Sequence, residues 1–183
     1  RSLESLPRVT TETGLTQNEF INEDMQARIL LNLYLAQFKR GWSYTSVYLL
    51  RDRTDEEENQ TFGFYAPDYT PRRSAHYLHN LTTILDDSSS IKKLSSLNYT
   101  IPDCPETVHD LLLQKSNGNL YLIVWGERYT GGEDKITISL GETCKQVNIY
   151  DPTFATEPVN DYQNVSAIDL SLRDTPFILE IKK

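Results

Sequence analysis

The chain has 183 residues, of which 38% are hydrophobic, so it is long enough for one large or two small domains with a buried core. Its formal net charge is −8 at pH 7, and the acidic residues are scattered along the chain. This balance argues against nucleic acid and an anionic membrane surface as partners, and no apolar stretch approaches the length that spans a bilayer.

The first predicted element is a short β-branched strand in residues 7–14, which ends in a carboxylate followed by a glycine. Gly14 allows a sharp turn directly after the strand. Catalytic groups of α/β enzymes collect at the carboxyl ends of parallel strands, so Glu12 is the first candidate site residue. The alternative is a solvent-exposed glutamate in a loop, because charged side chains are usually exposed.

The next elements predict a strand–helix–strand unit. Residues 22–40 repeat apolar side chains every three or four positions, with acidic residues at the start and basic residues at the end, which predicts a helix. Residues 42–50 alternate polar with aromatic or β-branched side chains, which predicts a second strand, and the charged residues 51–58 predict a loop. Two strands joined through a helix are expected to pair in parallel, and residues 72–85 repeat the helical period.

The second half of the chain has the pattern of an antiparallel β domain. A polar linker at residues 86–90 precedes it, and Asn117-Gly118 predicts a hairpin turn. The predicted strands are residues 107–114, 120–126, 135–140, 146–150, 165–172 and 177–181. Their spacing is typical of a β-sandwich, so we expect an α/β domain in residues 1–90 and an antiparallel β-sandwich in residues 91–183.

The cysteines and acidic residues do not predict a metal site. Cys104 and Cys144 are far apart, without a CxxC motif, and either a disulfide between them or two free, buried thiols is compatible with the sequence. The acidic loop with Glu56, Glu57 and Glu58 lacks the spacing of an EF-hand. We therefore predict no metal and no cofactor. The compartment stays open, with an extracellular or periplasmic location slightly favoured.

Several motifs resemble those of clan A retaining glycoside hydrolases. They are Thr-Glu-Thr-Gly at 11–14, Gly-Phe-Tyr-x-Pro-Asp-Tyr-Thr-Pro-Arg at 63–72, the segment 77–85, and the segment 107–114 together with Trp-Gly-Glu at 125–127. The resemblance implies an α/β part, formed by the last two βα units of a (β/α)8 barrel, followed by an antiparallel β-sandwich. It also implies a glycosidase that acts on a polysaccharide or an oligosaccharide by retaining double displacement.

The resemblance assigns roles to individual residues. The glutamate at the end of barrel strand seven is the nucleophile in such enzymes, and Glu12 occupies that position. The aromatic residue of strand eight that floors the sugar subsite has three candidates, Trp42, Tyr44 and Tyr48. Arg51 follows the second strand, where a sugar-binding loop would lie, although a solvated charged loop is the alternative.

The second catalytic carboxyl group is expected outside this chain. A retaining glycosidase needs two carboxyl groups about 5 Å apart, and the resemblance places the acid at the end of barrel strand four. We therefore expect the isolated chain to be inactive. Two parallel strands with two helices leave open edges, so we also expect the remaining barrel segment or self-association to cover them.

Two functions without catalysis are the alternatives. A carbohydrate-binding or accessory β-sandwich module would show an exposed row of aromatic side chains on the β domain and an inert Glu12. A purely structural interaction domain would show an apolar patch without converging polar groups.

Overall fold

The computed structural model describes residues 6–55, 60–91 and 93–183. The elements are, in chain order, β1 (Arg8–Thr13), α1 (Glu23–Lys39), β2 (Trp42–Val47), α2 (Arg73–Leu85), β3 (Val108–Gln114), β4 (Leu120–Gly126), β5 (Asp134–Tyr150), β6 (Pro158–Leu172) and β7 (Phe177–Lys182). The chain divides into two compact units, Arg1–His79 and Asn80–Lys183, and the division falls within α2.

The first unit contains a two-stranded parallel sheet, β1–β2, as the sequence pattern predicts. The Asn22 side chain caps α1 by accepting a hydrogen bond from the Met25 backbone N–H at 2.9 Å. On the same helix, Gln37 Oε1 accepts hydrogen bonds from the hydroxyls of Thr10 in β1, at 2.7 Å, and Thr45 in β2, at 2.5 Å. One side chain of α1 therefore ties the helix to both strands.

The strands of the first unit are only partly covered within the described chain. Val9 in β1 is 51% exposed and Tyr44 in β2 is 64% exposed. A single strand–helix–strand arrangement is compatible with βα units, but two strands do not show a closed barrel.

The second unit is a five-stranded antiparallel sheet in the order β3-β4-β7-β5-β6. This confirms that the second half of the chain forms antiparallel strands. All five strands belong to one hydrogen-bonded sheet, so the two separate sheets of a sandwich are not shown. One hydrophobic core cluster lies on one face of this sheet and includes Leu122, Val147 and Leu179. On the other face, Ile123 and Ile178 are also buried.

The predicted strands 135–140 and 146–150 belong to one long strand, β5. Its register with β6 is irregular between Ser139 and Cys144. Gly141 lies in this stretch with a φ of 74°, and a Cβ there would lie 2.3 Å from the Asn98 carbonyl oxygen. In the sequence, a glycine between two predicted strands suggests a turn. In the structure, Gly141 lies in a β-bulge of β5.

A buried carboxylate lies on the face of the sheet opposite the hydrophobic core cluster. Glu180 in β7 is 7% exposed and accepts hydrogen bonds from Asn119 at 2.7 Å, Tyr121 at 3.0 Å, Asn148 at 2.8 Å and Tyr150 at 3.0 Å. Burial raises the pKa of the Glu180 carboxyl, but the four hydrogen bonds outweigh it and leave the pKa below its ordinary value. The ionised form is therefore the one the fold stabilises.

The two cysteines are both free thiols, which resolves the alternatives left open by the sequence. Cys104 is exposed, whereas Cys144 is buried in the bent part of β5. Burial raises the pKa of the Cys144 thiol, so this group is held in its neutral form.

Candidate functional site

An open cleft of about 450 Å³ lies where β1 and β2 end, within the first unit. Its lining residues are Glu12, Thr13, Gly14, Tyr48, Gln60 and Phe62. The first three come from the end of β1, Tyr48 follows β2, and the last two belong to the loop after β2. The cleft thus brings together Glu12 and Tyr48, two of the residues singled out in the sequence.

Gly14 permits the close approach of the two strand ends. Its φ is 143°, and a Cβ at this position would lie 2.7 Å from the Tyr48 carbonyl oxygen. The Tyr48 backbone N–H donates to the Thr13 carbonyl at 2.6 Å, and the Tyr48–Leu49 peptide bond is cis. A side chain in place of this glycine would push the two walls of the cleft apart.

The carboxylate of Glu12 is not committed to a structural contact within the described residues. Glu12 is exposed at the rim of the cleft, and none of the described side chains or backbone groups forms a hydrogen bond or an ion pair with it. An ionised carboxylate is an acceptor with two oxygens and a potential nucleophile. This group is therefore available to a ligand.

The opposite wall of the cleft combines two aromatic rings with an amide. The rings of Tyr48 and Phe62 meet edge to face, with centroids 5.7 Å apart and an interplanar angle of 74°. The Tyr48 hydroxyl donates to Gln60 Oε1 at 2.8 Å. In addition, the backbone carbonyl of Gln60 accepts a hydrogen bond from the Arg53 backbone N–H at 3.1 Å. This bond fixes the backbone at the start of this wall.

A buried glutamine of α1 holds the two walls in place. Gln26 is 0% exposed, and its Nε2 donates to the carbonyls of Leu15, at 2.7 Å, and Thr61, at 2.9 Å. Its Oε1 accepts a hydrogen bond from Gln17 Nε2 at 3.0 Å. The hydroxyls of Thr16 and Thr61 are also hydrogen-bonded, at 2.8 Å. Gln26 therefore joins the segment after Glu12 to the segment between Gln60 and Phe62.

A buried carboxylate anchors the far end of the same loop. Asp52 is 2% exposed, and its carboxylate accepts hydrogen bonds from the Gly63 backbone N–H at 2.6 Å and from the Arg72 guanidinium. Arg72 also forms an ion pair with Glu23 at the start of α1, at 3.0 Å. A Cβ on Gly63 would lie 2.6 Å from Asp52 Oδ1, so glycine is needed for this contact.

The other predicted site residues lie away from the cleft. Trp42 begins β2, with the Arg8 guanidinium 5.4 Å from the centroid of its ring, and it is separated from the carboxyl end of the strand by about 16 Å. Tyr44 lies in the middle of β2, and Arg51 stacks on the ring of Tyr69 at 4.8 Å. None of the three candidates Trp42, Tyr44 and Arg51 lines the cleft.

Sequence reasoning missed Gln60, Phe62 and Gln26. Gln26 had a detectable signal, because it lies one helical turn before Leu30 on the buried face of α1, where a polar side chain needs a partner. Gln60 and Phe62 follow a charged segment of the sequence, and no periodicity marks such positions.

The described residues hold neither a candidate metal cluster nor a helix that could cross a membrane. No group of three or more histidine, cysteine, aspartate or glutamate side chains is placed to hold a metal ion there. Glu56, Glu57 and Glu58, the acidic residues of the loop discussed above, lie outside the described residues. Neither α1 nor α2, the helices of the described chain, is long and apolar enough to cross a bilayer.

The fold defines a class of protein with a strand–helix–strand unit followed by an antiparallel β sheet. The chain matches no protein-family model and has no significant match among curated proteins. Among solved structures it is similar to a family 39 glycoside hydrolase from the gut symbiont Bacteroides cellulosilyticus WH2, with 18% identity and a TM-score of 0.65. The similarity covers 97% of this chain and 34% of that chain, so this chain spans about a third of the length of that enzyme. It shows a glycoside hydrolase-related fold.

Proposed function

We propose that this chain is the C-terminal portion of a retaining glycoside hydrolase, with Glu12 as the nucleophile. The observation that supports this most directly is the uncommitted Glu12 carboxylate at the carboxyl end of β1, in a cleft shared with Tyr48. In a (β/α)8 barrel, catalytic residues lie at the carboxyl ends of the strands. In this proposal β1 and β2 are the last two barrel strands.

The proposed reaction is a double displacement. Glu12 attacks the anomeric carbon and the glycosidic bond breaks, while a second carboxyl group protonates the departing oxygen. A water molecule, deprotonated by that second group, then hydrolyses the glycosyl-enzyme ester and releases Glu12. Glu12 is the only carboxylic acid among the described residues that line the cleft, so the acid/base residue is proposed to come from protein outside this chain.

The same proposal assigns the sugar-binding surface of this chain. The rings of Tyr48 and Phe62 can pack against the C–H groups of a sugar, and Gln60 adds a polar group beside them. Of the substrate-binding residues predicted from the sequence, Tyr48 is retained. Trp42, Tyr44 and Arg51 are left out because they lie away from the cleft.

The remaining barrel segment is the proposed partner of the first unit. In the described chain, β1 and β2 pair only with each other, so each has an unpaired edge. The exposed Val9 and Tyr44 side chains would be covered by the same segment. Self-association would cover the edges in another way, and it would not supply the acid at the end of strand four.

The accessory-module alternative has less support. It requires a row of exposed aromatic side chains on the second unit, whereas Trp125 is 1% exposed. The exposed aromatic side chains of that unit, within the described residues, are Phe154 and Tyr162. Phe154 lies in a turn after β5 and Tyr162 lies in β6, so they do not belong to one strand.

The proposal is tested by covalent labelling of the gene product as it is encoded. A 2,4-dinitrophenyl 2-deoxy-2-fluoroglycoside has a leaving group that departs without protonation, and its fluorine slows hydrolysis of the ester, so the glycosyl-enzyme accumulates. We expect mass spectrometry of the digested protein to place the adduct on Glu12. Glu12→Gln should abolish labelling, whereas Glu19→Gln, an exposed glutamate outside the cleft, should leave it intact. An adduct on another carboxylate would refute the assignment of Glu12.

A further inference from the structure

The Gln60 amide has its oxygen toward Tyr48 in this structure. The Tyr48 hydroxyl donates to Gln60 Oε1 at 2.8 Å, and Nε2 lies at the other end of the amide. No described residue accepts a hydrogen bond from this Nε2 group. Two N–H donors on a half-buried residue that lines the cleft are therefore available to a ligand.

The charge around the cleft is unsuited to an anionic sugar. Its described lining contains the carboxylate of Glu12 and no lysine or arginine. The arginines of the following loop have other partners: Arg51 stacks on Tyr69, and Arg53 forms a two-pronged ion pair with Asp55 at 3.2 and 3.0 Å. Against the described lining, the carboxylate of a uronic acid would meet a like charge with no cation to compensate it.

We propose that Gln60 is a specificity-determining residue, whose Nε2 binds a hydroxyl group of an uncharged sugar ring packed against Tyr48 and Phe62. This inference rests on the proposed function, because it places the sugar in the same cleft as Glu12. Tyr48 has two roles in it, since its ring contacts the sugar and its hydroxyl orients the amide. The substrate class is thus a neutral pyranoside and not a uronide.

Nuclear magnetic resonance of the ¹⁵N-labelled gene product, as it is encoded, tests the recognition without requiring catalysis. The probes are methyl xyloside and methyl glucoside, in both anomeric forms, and the matching methyl glucuronides, titrated to their solubility limits. We expect the neutral sugars to shift the Gln60 side-chain amide and the Gly14 backbone amide. The glucuronides should bind at least about tenfold more weakly, because like charges oppose their binding.

Matched variants separate hydrogen bonding from folding. Gln60→Ala should weaken binding of the neutral sugars by roughly three- to tenfold, the effect of one hydrogen bond, while leaving the spectrum of the rest of the chain unchanged. Gln163→Ala, at an exposed position of β6, is the control and should bind like the parent chain. Glu12→Gln should reduce the preference for neutral sugars over glucuronides, since it removes the opposing charge.

The outcomes distinguish this inference from the hydrolase proposal. Equal affinity for glucuronides and neutral sugars, unchanged binding by Gln60→Ala, or no shift in the cleft with any sugar would each overturn the role of Gln60. If the covalent label still reaches Glu12 in that case, the proposed function stands and this inference falls. If the neutral sugars bind through Gln60 but no label reaches Glu12, the hydrolase proposal fails and sugar recognition stands.

Discussion

Replacing Gln26 by leucine tests whether the buried amide holds the cleft together. Leucine has a similar volume and a good helix propensity, so α1 should keep its length. The substitution removes both the Nε2 donor and the Oε1 acceptor. The carbonyl of Leu15 then loses its 2.7 Å bond and the side chain of Gln17 loses its 3.0 Å bond, while the carbonyl of Thr61 keeps its bond to the Gln17 backbone N–H.

The expected loss of stability follows from these three hydrogen bonds. Each contributes about 1 kcal/mol net, and a buried group left without a partner costs about as much or more. We therefore expect Gln26→Leu to lower the free energy of unfolding by about 3 kcal/mol. For a protein of this size, that loss corresponds to a fall in Tm of about 6–12 °C.

Urea denaturation measures this free energy, and hydrogen exchange locates the change. The amides of α1 and of the segment between Gln60 and Phe62 should exchange faster in the variant, because the loop is no longer fixed to the helix. Gln163→Leu is the matched control on an exposed strand and should stay within about 0.5 kcal/mol of the parent chain. If Gln26→Leu is equally neutral, the amide does not hold the cleft walls and this account of the site is wrong.

The structure makes three further predictions about stability. Gly14→Ala should lower the free energy of unfolding by about 1–3 kcal/mol, because its Cβ would meet the Tyr48 carbonyl oxygen; Gly118→Ala, where a Cβ meets nothing within 4 Å, controls for the positive φ. Because the pKa of Glu180 is lowered on folding, its contribution is present above the unfolded value of about 4.3 and is lost as the pH falls through the folded value. Urea denaturation between pH 6 and about pH 3 should show this loss. If the free energy of unfolding of Glu180→Gln depends on pH as steeply as that of the parent chain, the result would contradict this prediction. At neutral pH, Glu180→Gln should cost about 1–3 kcal/mol, because an amide nitrogen replaces an acceptor facing hydrogen-bond donors such as Asn119; Glu106→Gln, on an exposed residue, should be near neutral.

Local sequence signals predicted the strand that carries Glu12 and the helix that follows it. For the helix, these signals are the spacing of apolar residues and the acidic and basic ends of the segment, and α1 confirms both. The parallel pairing of β1 and β2 follows from the helix between them. Glu12 and Tyr48 converge because parallel strands present their carboxyl ends at the same edge. This part of the candidate site was accessible to sequence reasoning.

Strand direction also explains why the three aromatic candidates do not lie together. Trp42 starts β2, so a residue at its amino end lies away from the edge that holds Glu12. The contribution of Gln60 depends on the path of an irregular loop, which Asp52 and Gln26 determine through hydrogen bonds distant in sequence. Such contacts have no period along the chain, so the amide wall could not be predicted.

The nucleophilic role of Glu12 is tested most directly by removing its carboxylate and supplying another anion. We expect Glu12→Gly in the gene product as encoded to lose hydrolysis of aryl glycosides by several orders of magnitude. Sodium azide should restore leaving-group release and give a glycosyl azide whose anomeric configuration is opposite to that of the substrate, because the azide attacks from the face that Glu12 occupied. A variant that retains the parental rate would contradict the account, as would an inactive variant that azide does not rescue while the corresponding variant of another carboxylate is rescued.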